Sequence, residues 1–132
     1  MDRGLRGLLY VSELAEDQDA RCVAPILGTA RSRNAIHHAT GVLVFDGERF
    51  GQYVEGEASN IRVLLSNLLR DQRHANILIL ADLPIAKRAF ERFRMGYTDM
   101  DDVEILKNLT LTASKDAMSR FLTLVKTCDV VE

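Results

Sequence analysis

The stretch Gly41-Val42-Leu43-Val44-Phe45-Asp46-Gly47-Glu48-Arg49-Phe50-Gly51-Gln52-Tyr53-Val54-Glu55 decides the architecture. Two runs rich in β-branched and aromatic residues flank Asp46-Gly47, the dipeptide that best suits a tight two-residue hairpin turn. The spacing therefore predicts strands over 41–45 and 48–55. Upstream, Leu8-Leu9-Tyr10-Val11 is nearly continuous and apolar. A run of that length suits a strand over 7–12 that is covered on both faces. The acid-rich stretch 13–19 reads as a solvated loop, and Val23 opens a helix expected over 23–32. Pro25 is tolerated in its first turn, where its missing N–H costs nothing, and Ile26, Leu27 and Ala30 form the buried stripe. After the hairpin, Ile61, Leu64, Leu65 and Leu68 recur at helical spacing, which predicts an amphipathic helix over 59–70. Residues 77–81 read as a further buried strand. Residues 90–97 read as a last strand, after a connection containing Pro84. From Asp101 the pattern is helical again, through Val103, Ile105 and Leu106 to Met118, Phe121, Leu122 and Val125.

The order is β-α-β-β-α-β, followed by an extra strand and a helical tail. The fold class expected is therefore α/β in the α+β sense: a ferredoxin-like core with two helices on one sheet face. The other face needs a cover, and the C-terminal helices supply one. Two units follow, a core over 1–97 and a helical extension over 98–132 that packs on the sheet or mediates oligomerisation.

Composition narrows the function classes. The chain has 132 residues, 47% hydrophobic and 27% charged, enough for one domain with its own core. Its formal net charge is −2, which speaks against nucleic acid as the main partner. No apolar run approaches the roughly 20 residues that span a bilayer, and Met1-Asp2-Arg3-Gly4 lacks the apolar core of a signal peptide. Cys22 and Cys128 are far apart and form no metal-like pair, so free thiols in a reducing cytoplasm are expected. The adjacent His37 and His38 lack metal-ligand spacing and read as surface residues. His74 beside Asp71 reads as a cap or loop hydrogen bond.

Strand alternation puts Leu8, Tyr10 and Ser12 on one face of the first strand, Phe50, Gln52 and Val54 on one face of the third, and Phe93, Met95 and Tyr97 on one face of the last. Gln52 is the odd member of its set, an amide among apolar neighbours that needs hydrogen-bond partners. On residue types alone, two readings stand. Either Tyr10 and Gln52 satisfy each other in the core, or both face a polar ligand lying between helices and sheet.

Taken in order, Tyr10-Val11-Ser12, then Asn34 six residues before Thr40-Gly41, then Phe50-Gly51-Gln52-Tyr53-Val54-Glu55-Gly56, then Asp71-Gln72-Arg73-His74, then Met95, resemble the BLUF family, blue-light sensors using flavin. The resemblance runs from about residue 7 to residue 97. It implies a flavin held between the two helices, FAD being the expected form and FMN or riboflavin the alternatives. It implies that Tyr10 gives an electron to the excited flavin. It implies that Gln52 relays a proton and then settles in a rearranged or tautomeric hydrogen-bonded state that shifts absorption to the red. Asn34 would hold the flavin carbonyl edge, Ile26 and Leu68 would sandwich the ring, and Met95 would carry the signal outward. Three positions depart from the family pattern. Phe93 stands where many members have Trp, Asn67 where many have a basic residue one turn before Asp71, and Ala39 where Ile or Leu is usual. Arg33 is the expected compensating polar contact. The implied site is thus Tyr10, Ile26, Arg33, Asn34, Gln52, Asn67, Leu68, Asp71, Phe93 and Met95, with no metal. The implied role is a cytoplasmic, non-enzymatic photoreceptor that forms homo-oligomers and signals to another protein, away from nucleic acid and membranes. The rival readings are a degenerate family member that binds proteins without flavin, and a small flavin-dependent reductase.

Overall fold

The computed structural model describes residues 4–131. The N-terminal stretch Met1-Asp2-Arg3, read above as lacking a signal core, and Glu132 lie outside the described residues. Five strands and four helices follow the order β1 (Leu5–Leu14), α1 (Val23–Ile36), β2 (Thr40–Phe45), β3 (Arg49–Glu57), α2 (Ala58–Leu69), β4 (His74–Pro84), β5 (Gly96–Asp99), α3 (Val103–Leu109) and α4 (Ser114–Lys126). The strands form one sheet in the order β4-β1-β3-β2-β5. All neighbours are antiparallel except β2 and β5, which run parallel. This is the ferredoxin-like arrangement with one strand added beside β2.

The hairpin forms, but its two central residues are Gly47 and Glu48 rather than Asp46 and Gly47: Phe45 pairs with Phe50, and the Asp46 N–H donates to the Arg49 carbonyl at 3.1 Å. Gly47 has φ +99°, open to glycine and strained for a side chain. The Asp46 carboxylate accepts the Glu48 and Arg49 backbone N–H groups at 2.9 and 2.6 Å, a local bond that fixes the turn.

Alternation then divides the sheet into two dry faces. Leu8, Leu43, Phe45, Phe50 and Val54 point to one, where Ile26 of α1 and Ile61 of α2 cover them. Leu9, Val11, Val42, Val44 and Tyr53 point to the other, where Leu106 of α3 and Phe121 and Val125 of α4 cover them. Both faces being buried explains why β1 and β2 read as unbroken apolar runs. The tail beyond β5 thus lies over the sheet, and its last residues reach the sheet edge. Val131 exchanges backbone hydrogen bonds with Tyr97, at 2.6 and 2.9 Å.

Four sequence expectations need correction. β1 runs to Leu14, so Glu13 and Leu14 are strand rather than loop; pairing with Arg49 of β3 and His74 of β4 extends it. α1 runs to Ile36, because polar side chains of its last turns find partners in another segment. Arg31 Nε donates to the Met95 carbonyl at 3.0 Å, and the Asn34 amide donates to the Arg94 carbonyl. β4 is not a doubly buried strand but an outer strand paired to β1 alone, with Leu78 and Ile79 46% and 38% exposed. The last strand begins at Gly96, not at residue 90. In 89–93 the backbone groups bond elsewhere: the Glu55 carboxylate accepts the N–H of Ala89 and Phe90, both at 2.7 Å, and the Phe93 carbonyl accepts from Gly41 N–H. Backbone groups so engaged are lost to a strand ladder.

Two glycines have opposite roles. A Cβ on Gly41 would lie 2.0 Å from the Tyr53 carbonyl oxygen, a backbone atom that cannot move aside, whereas a Cβ on Gly28 of α1 would meet nothing within 4 Å. Gly41→Ala is expected to cost about 3 kcal/mol or more through overpacking. Gly28→Ala is expected to gain about 0.5–1 kcal/mol through helix propensity. Urea unfolding of the two variants checks both signs.

Candidate functional site

The cleft between α1, α2 and the sheet is built on a cross-strand pair. Tyr10 of β1 stands directly opposite Gln52 of β3 in the antiparallel register. Both are buried, and the phenol donates its hydrogen bond to Gln52 Oε1. The other end of the amide, Nε2, faces the Met95 sulfur at 3.8 Å. Burial first, and the negative charge of Asp71 second, push the Tyr10 phenol far above the ordinary tyrosine range. The ring is therefore a neutral proton donor at any working pH.

Around this pair the walls are apolar and the rim polar. Ile26 and Ala30 of α1 face Leu64, Leu65 and Leu68 of α2, with Leu8 and Val54 forming the floor. At one end stand Asn34 and Arg33; at the other stand Thr29, Asp71 and His74. Asp71 is fixed by its neighbour. Arg73 donates to both carboxylate oxygens, at 2.9 and 2.8 Å, and its own backbone N–H adds a third bond at 3.1 Å. Burial alone would push the Asp71 carboxyl up, but these bonds outweigh it and hold the group below the usual range. It stays ionised. His74 is the reverse case. Burial pulls its pKa below the ordinary imidazole value, against the pull of Asp71, so the ring is neutral. Its Nδ1 lies 2.8 Å from Ser12 Oγ, and its Nε2 lies 3.9 Å from Asp71 Oδ2. A neutral ring with its proton on Nε2, turned to Asp71, leaves Nδ1 to accept from Ser12.

The structure brings together seven of the ten residues expected from sequence: Tyr10, Ile26, Arg33, Asn34, Gln52, Leu68 and Asp71 line the cleft. Met95 sits immediately behind, fully buried against Gln52. Asn67 and Phe93 are not brought to it. Asn67 is half-buried on α2, one position and about 100° around the helix from Leu68. Phe93 precedes β5, so strand alternation does not reach it. Its ring lies on the opposite side of Gly96 from Met95, where a Cβ on Gly96 would meet Phe93 at 3.2 Å and Val130 at 2.5 Å. Tyr97, by contrast, shares the Met95 face. The sequence reading missed Leu8, Thr29, Ala30, Val54, Leu64, Leu65 and His74 as lining residues. All but Thr29 and His74 were legible as core positions on the correct faces. His74 lay within the quoted Asp71-Gln72-Arg73-His74 motif, and the Ser12 it bonds was already assigned to the Tyr10 face. Among the described residues, no group of His, Cys, Asp and Glu has the arrangement of a metal site. Cys22 and Cys128 are free thiols.

The donor set fits a flavin. Two apolar walls suit the faces of a planar ring. The edge offers amides that donate and accept (Asn34, Gln52), a carboxylate that only accepts (Asp71) and a guanidinium that only donates (Arg33). The cleft is narrow and opens to solvent between α1 and α2, with Ile26, Leu64 and Leu68 facing one another across it.

Comparison with known proteins agrees with this geometry. A family model described as sensors of blue-light using FAD matches residues 5–96. The chain is 30% identical over 104 residues to the blue light- and temperature-regulated antirepressor BluF of Escherichia coli (strain K12), covering 75% of this chain and 26% of that protein. The chain thus spans about a quarter of that relative, and 10% of the photoactivated adenylate cyclase subunit alpha of Euglena gracilis. Among solved structures, the dark state of the BLUF protein BlrB superposes with a TM-score of 0.81 at 24% identity, covering 95% of this chain and 97% of that one. The photo-activated state of BlsA superposes with a TM-score of 0.80 at 24% identity, covering 97% and 99%. At that identity the likeness establishes the fold.

The neutral, buried His74 makes stability pH-dependent. Its folded pKa lies below 6.5, so the unfolded chain takes up a proton there that the folded chain refuses. Unfolding free energy is therefore flat above about pH 6.5 and falls below it, with a limiting slope of ~1.4 kcal/mol per pH unit from this group. The depressed Asp71 acts only at far lower pH, as acid falls through the carboxylate range. Urea unfolding of the wild type and His74→Gln between pH 8 and 5 is expected to diverge in slope only below 6.5; parallel curves would remove His74 from this role.

Proposed function

The chain belongs to the family of sensors of blue light using FAD, and on that premise we propose that it is a photoreceptor module that binds a flavin between α1 and α2 and signals by a change of hydrogen bonding at Gln52. Flavin binding is a property of this family. The observation that carries the reading for this chain is the Tyr10–Gln52–Met95 series.

A bound flavin supplies the blue-absorbing chromophore and an electron acceptor. The residues to hold it are Asn34, Gln52 and Arg33 along its polar edge, Asp71 as a fixed acceptor, and Ile26 and Leu68 against its faces. Tyr10 is placed to give up an electron and the phenolic proton that it now donates to Gln52. That bond holds the Gln52 carbonyl toward the phenol and the NH₂ toward Met95. Once the phenol stops donating, the reason for that orientation is gone. Rotation or tautomerisation of the amide then reverses which end is donor and which is acceptor. The Met95 sulfur, a weak acceptor with no proton to give, suits the first orientation and not the second. The change at Gln52 thus passes to Met95, and through its peptide carbonyl to Arg31. Glutamate or leucine at position 52 could not exchange ends in this way.

FAD is the form proposed, supported by the description of the matching family model. The output is contact with another protein, and catalysis of a substrate reaction forms no part of the role. Among the described residues no helix is long and apolar enough to cross a membrane. The two free cysteines support a reducing, cytoplasmic setting. The core over 1–97 acts as the sensor, and the extension over 98–132 acts as the cover of the opposite sheet face. Assembly into homo-oligomers is part of the same proposal.

Blue illumination of the purified protein is expected to shift its visible flavin absorption reversibly to the red. Gln52→Leu and Tyr10→Phe are expected to keep the flavin and lose the shift. Asn34→Ala is expected to weaken flavin binding by about tenfold, the cost of one lost buried hydrogen bond. Chromatography of the released chromophore against FAD, FMN and riboflavin identifies the form. A flavin that bleaches with a nicotinamide donor and shows no shift would favour a reductase instead.

A further inference from the structure

Charge is unevenly distributed along the chain. Of its 17 Lys and Arg and 19 Asp and Glu, six basic residues and one acidic residue fall within 31–38 and 87–94, which leaves eleven basic against eighteen acidic elsewhere. The fold brings those two segments together. They form the walls of a groove of about 590 Å³ beside the end of α1, lined by His38, Thr40, Arg88, Arg92 and Arg94, with Glu91 the one acidic member and Asn34 at its inner end.

The groove is built rather than incidental. Its outer wall is clasped by Glu55, a fully buried carboxylate whose two oxygens accept the backbone N–H of Ala89 and Phe90, with Thr40 Oγ1 and the Tyr53 hydroxyl donating at 2.9 and 3.1 Å. Arg88 ties the two walls, donating to the His38 carbonyl at 2.7 Å and to Thr40 Oγ1 at 3.0 Å. Arg92 and Arg94 are exposed and, among the described residues, have no ion-pair partner. The groove also shares a wall with the cleft: Asn34 holds the Arg94 carbonyl and Arg31 holds the Met95 carbonyl.

From this we propose that the groove is the output surface of the sensor and docks an acidic segment of a partner protein. Free guanidinium groups above a rigid floor suit carboxylates in bidentate pairs. Nucleic acid fits poorly. The patch is a single short concavity with Glu91 inside it, and the rest of the chain carries the opposite sign, which repels a phosphate backbone running past. The output role rests on the sensor reading above; the docking itself rests on charge and shape alone.

The test uses the full chain with bound flavin and an octaglutamate peptide carrying a red-excited dye outside the flavin band, followed by anisotropy at about 0.15 M ionic strength. Saturable binding is expected, weakened at least tenfold in Arg92→Glu/Arg94→Glu and unchanged in Lys115→Glu/Lys126→Glu, exposed charges on α4. Both double variants are expected to keep the red shift, which shows them folded and separates this test from that of the sensor reading. A difference in peptide affinity between darkness and blue light supports the output role. Equal affinity in both, with the red shift present, overturns that role. Absence of peptide binding, equal weakening by the two double variants, or displacement of the peptide by duplex DNA at lower concentration than by unlabelled octaglutamate overturns the docking proposal. Binding with no red shift would sink the sensor reading and leave the groove.

Discussion

The hydrogen bond between Tyr10 and Gln52 is the constraint around which the rest is arranged. It joins adjacent strands at one register position, so a slip of one residue would send both groups to the wrong face. Both groups are buried at the base of the cleft, and an unmatched amide there would carry a desolvation cost of about 1–3 kcal/mol. Its geometry also leaves the amide asymmetric. One end has a strong donor opposite, the other only a thioether. A side chain held by one strong bond and one weak contact has a clear resting orientation and little to oppose its reversal once the strong bond is lost.

The two sheet faces serve this pair in different ways. The α1–α2 face is incompletely filled and polar at both ends. The α3–α4 face is closed by Leu106, Phe121 and Val125, with the buried Glu55 and the Tyr53 hydroxyl bonded to each other at its margin. Rigidity on one side lets the other be yielding. Glu55 belongs to the rigid side although it lies only three residues from Gln52, because alternation turns it the other way. It satisfies backbone donors of a loop that has no ladder of its own. That loop ends at Met95, so the position of the sulfur behind Gln52 is set from both faces of β3.

Much of this was legible in the sequence, for definite reasons. The hairpin, β1 and α2 declared themselves through turn chemistry and periodicity, signals that depend only on near neighbours. Alternation set Tyr10 with Leu8 and Gln52 with Phe50 and Val54, and left open whether the two bond each other or a ligand; the register that puts them opposite is a long-range fact. What the sequence left hidden depends on distant partners. α1 has a weak apolar stripe, and its last turn is held by carbonyls some sixty residues away. Residues 90–95 have strand-like composition, yet their backbone groups are claimed by Glu55 and Gly41. β4 has the apolar content of a buried strand but lies at the sheet margin, a position that composition does not encode. Phe93 was misplaced for the same reason as β5: a strand drawn too early assigns faces that do not exist. Asn67 entered through resemblance alone, and it stands on α2 beside the cleft-lining Leu68 without lining the cleft itself.

The exchange of hydrogen bonds between Val131 and Tyr97 closes a ring in the chain. Residues 97–131 leave the sheet at β5, cross its far side as α3 and α4, and return to the same strand. The cover is therefore a strap buckled at both ends and not a flap on a single hinge. A flap could swing open through its loop alone. A strap must first unfasten at Val131, and the loop-closure entropy of some thirty-five residues is released only at that moment. Whatever disturbs β5 from the Met95 side acts on the buckle itself, so a small displacement of one short strand is the step on which freedom of the whole tail depends.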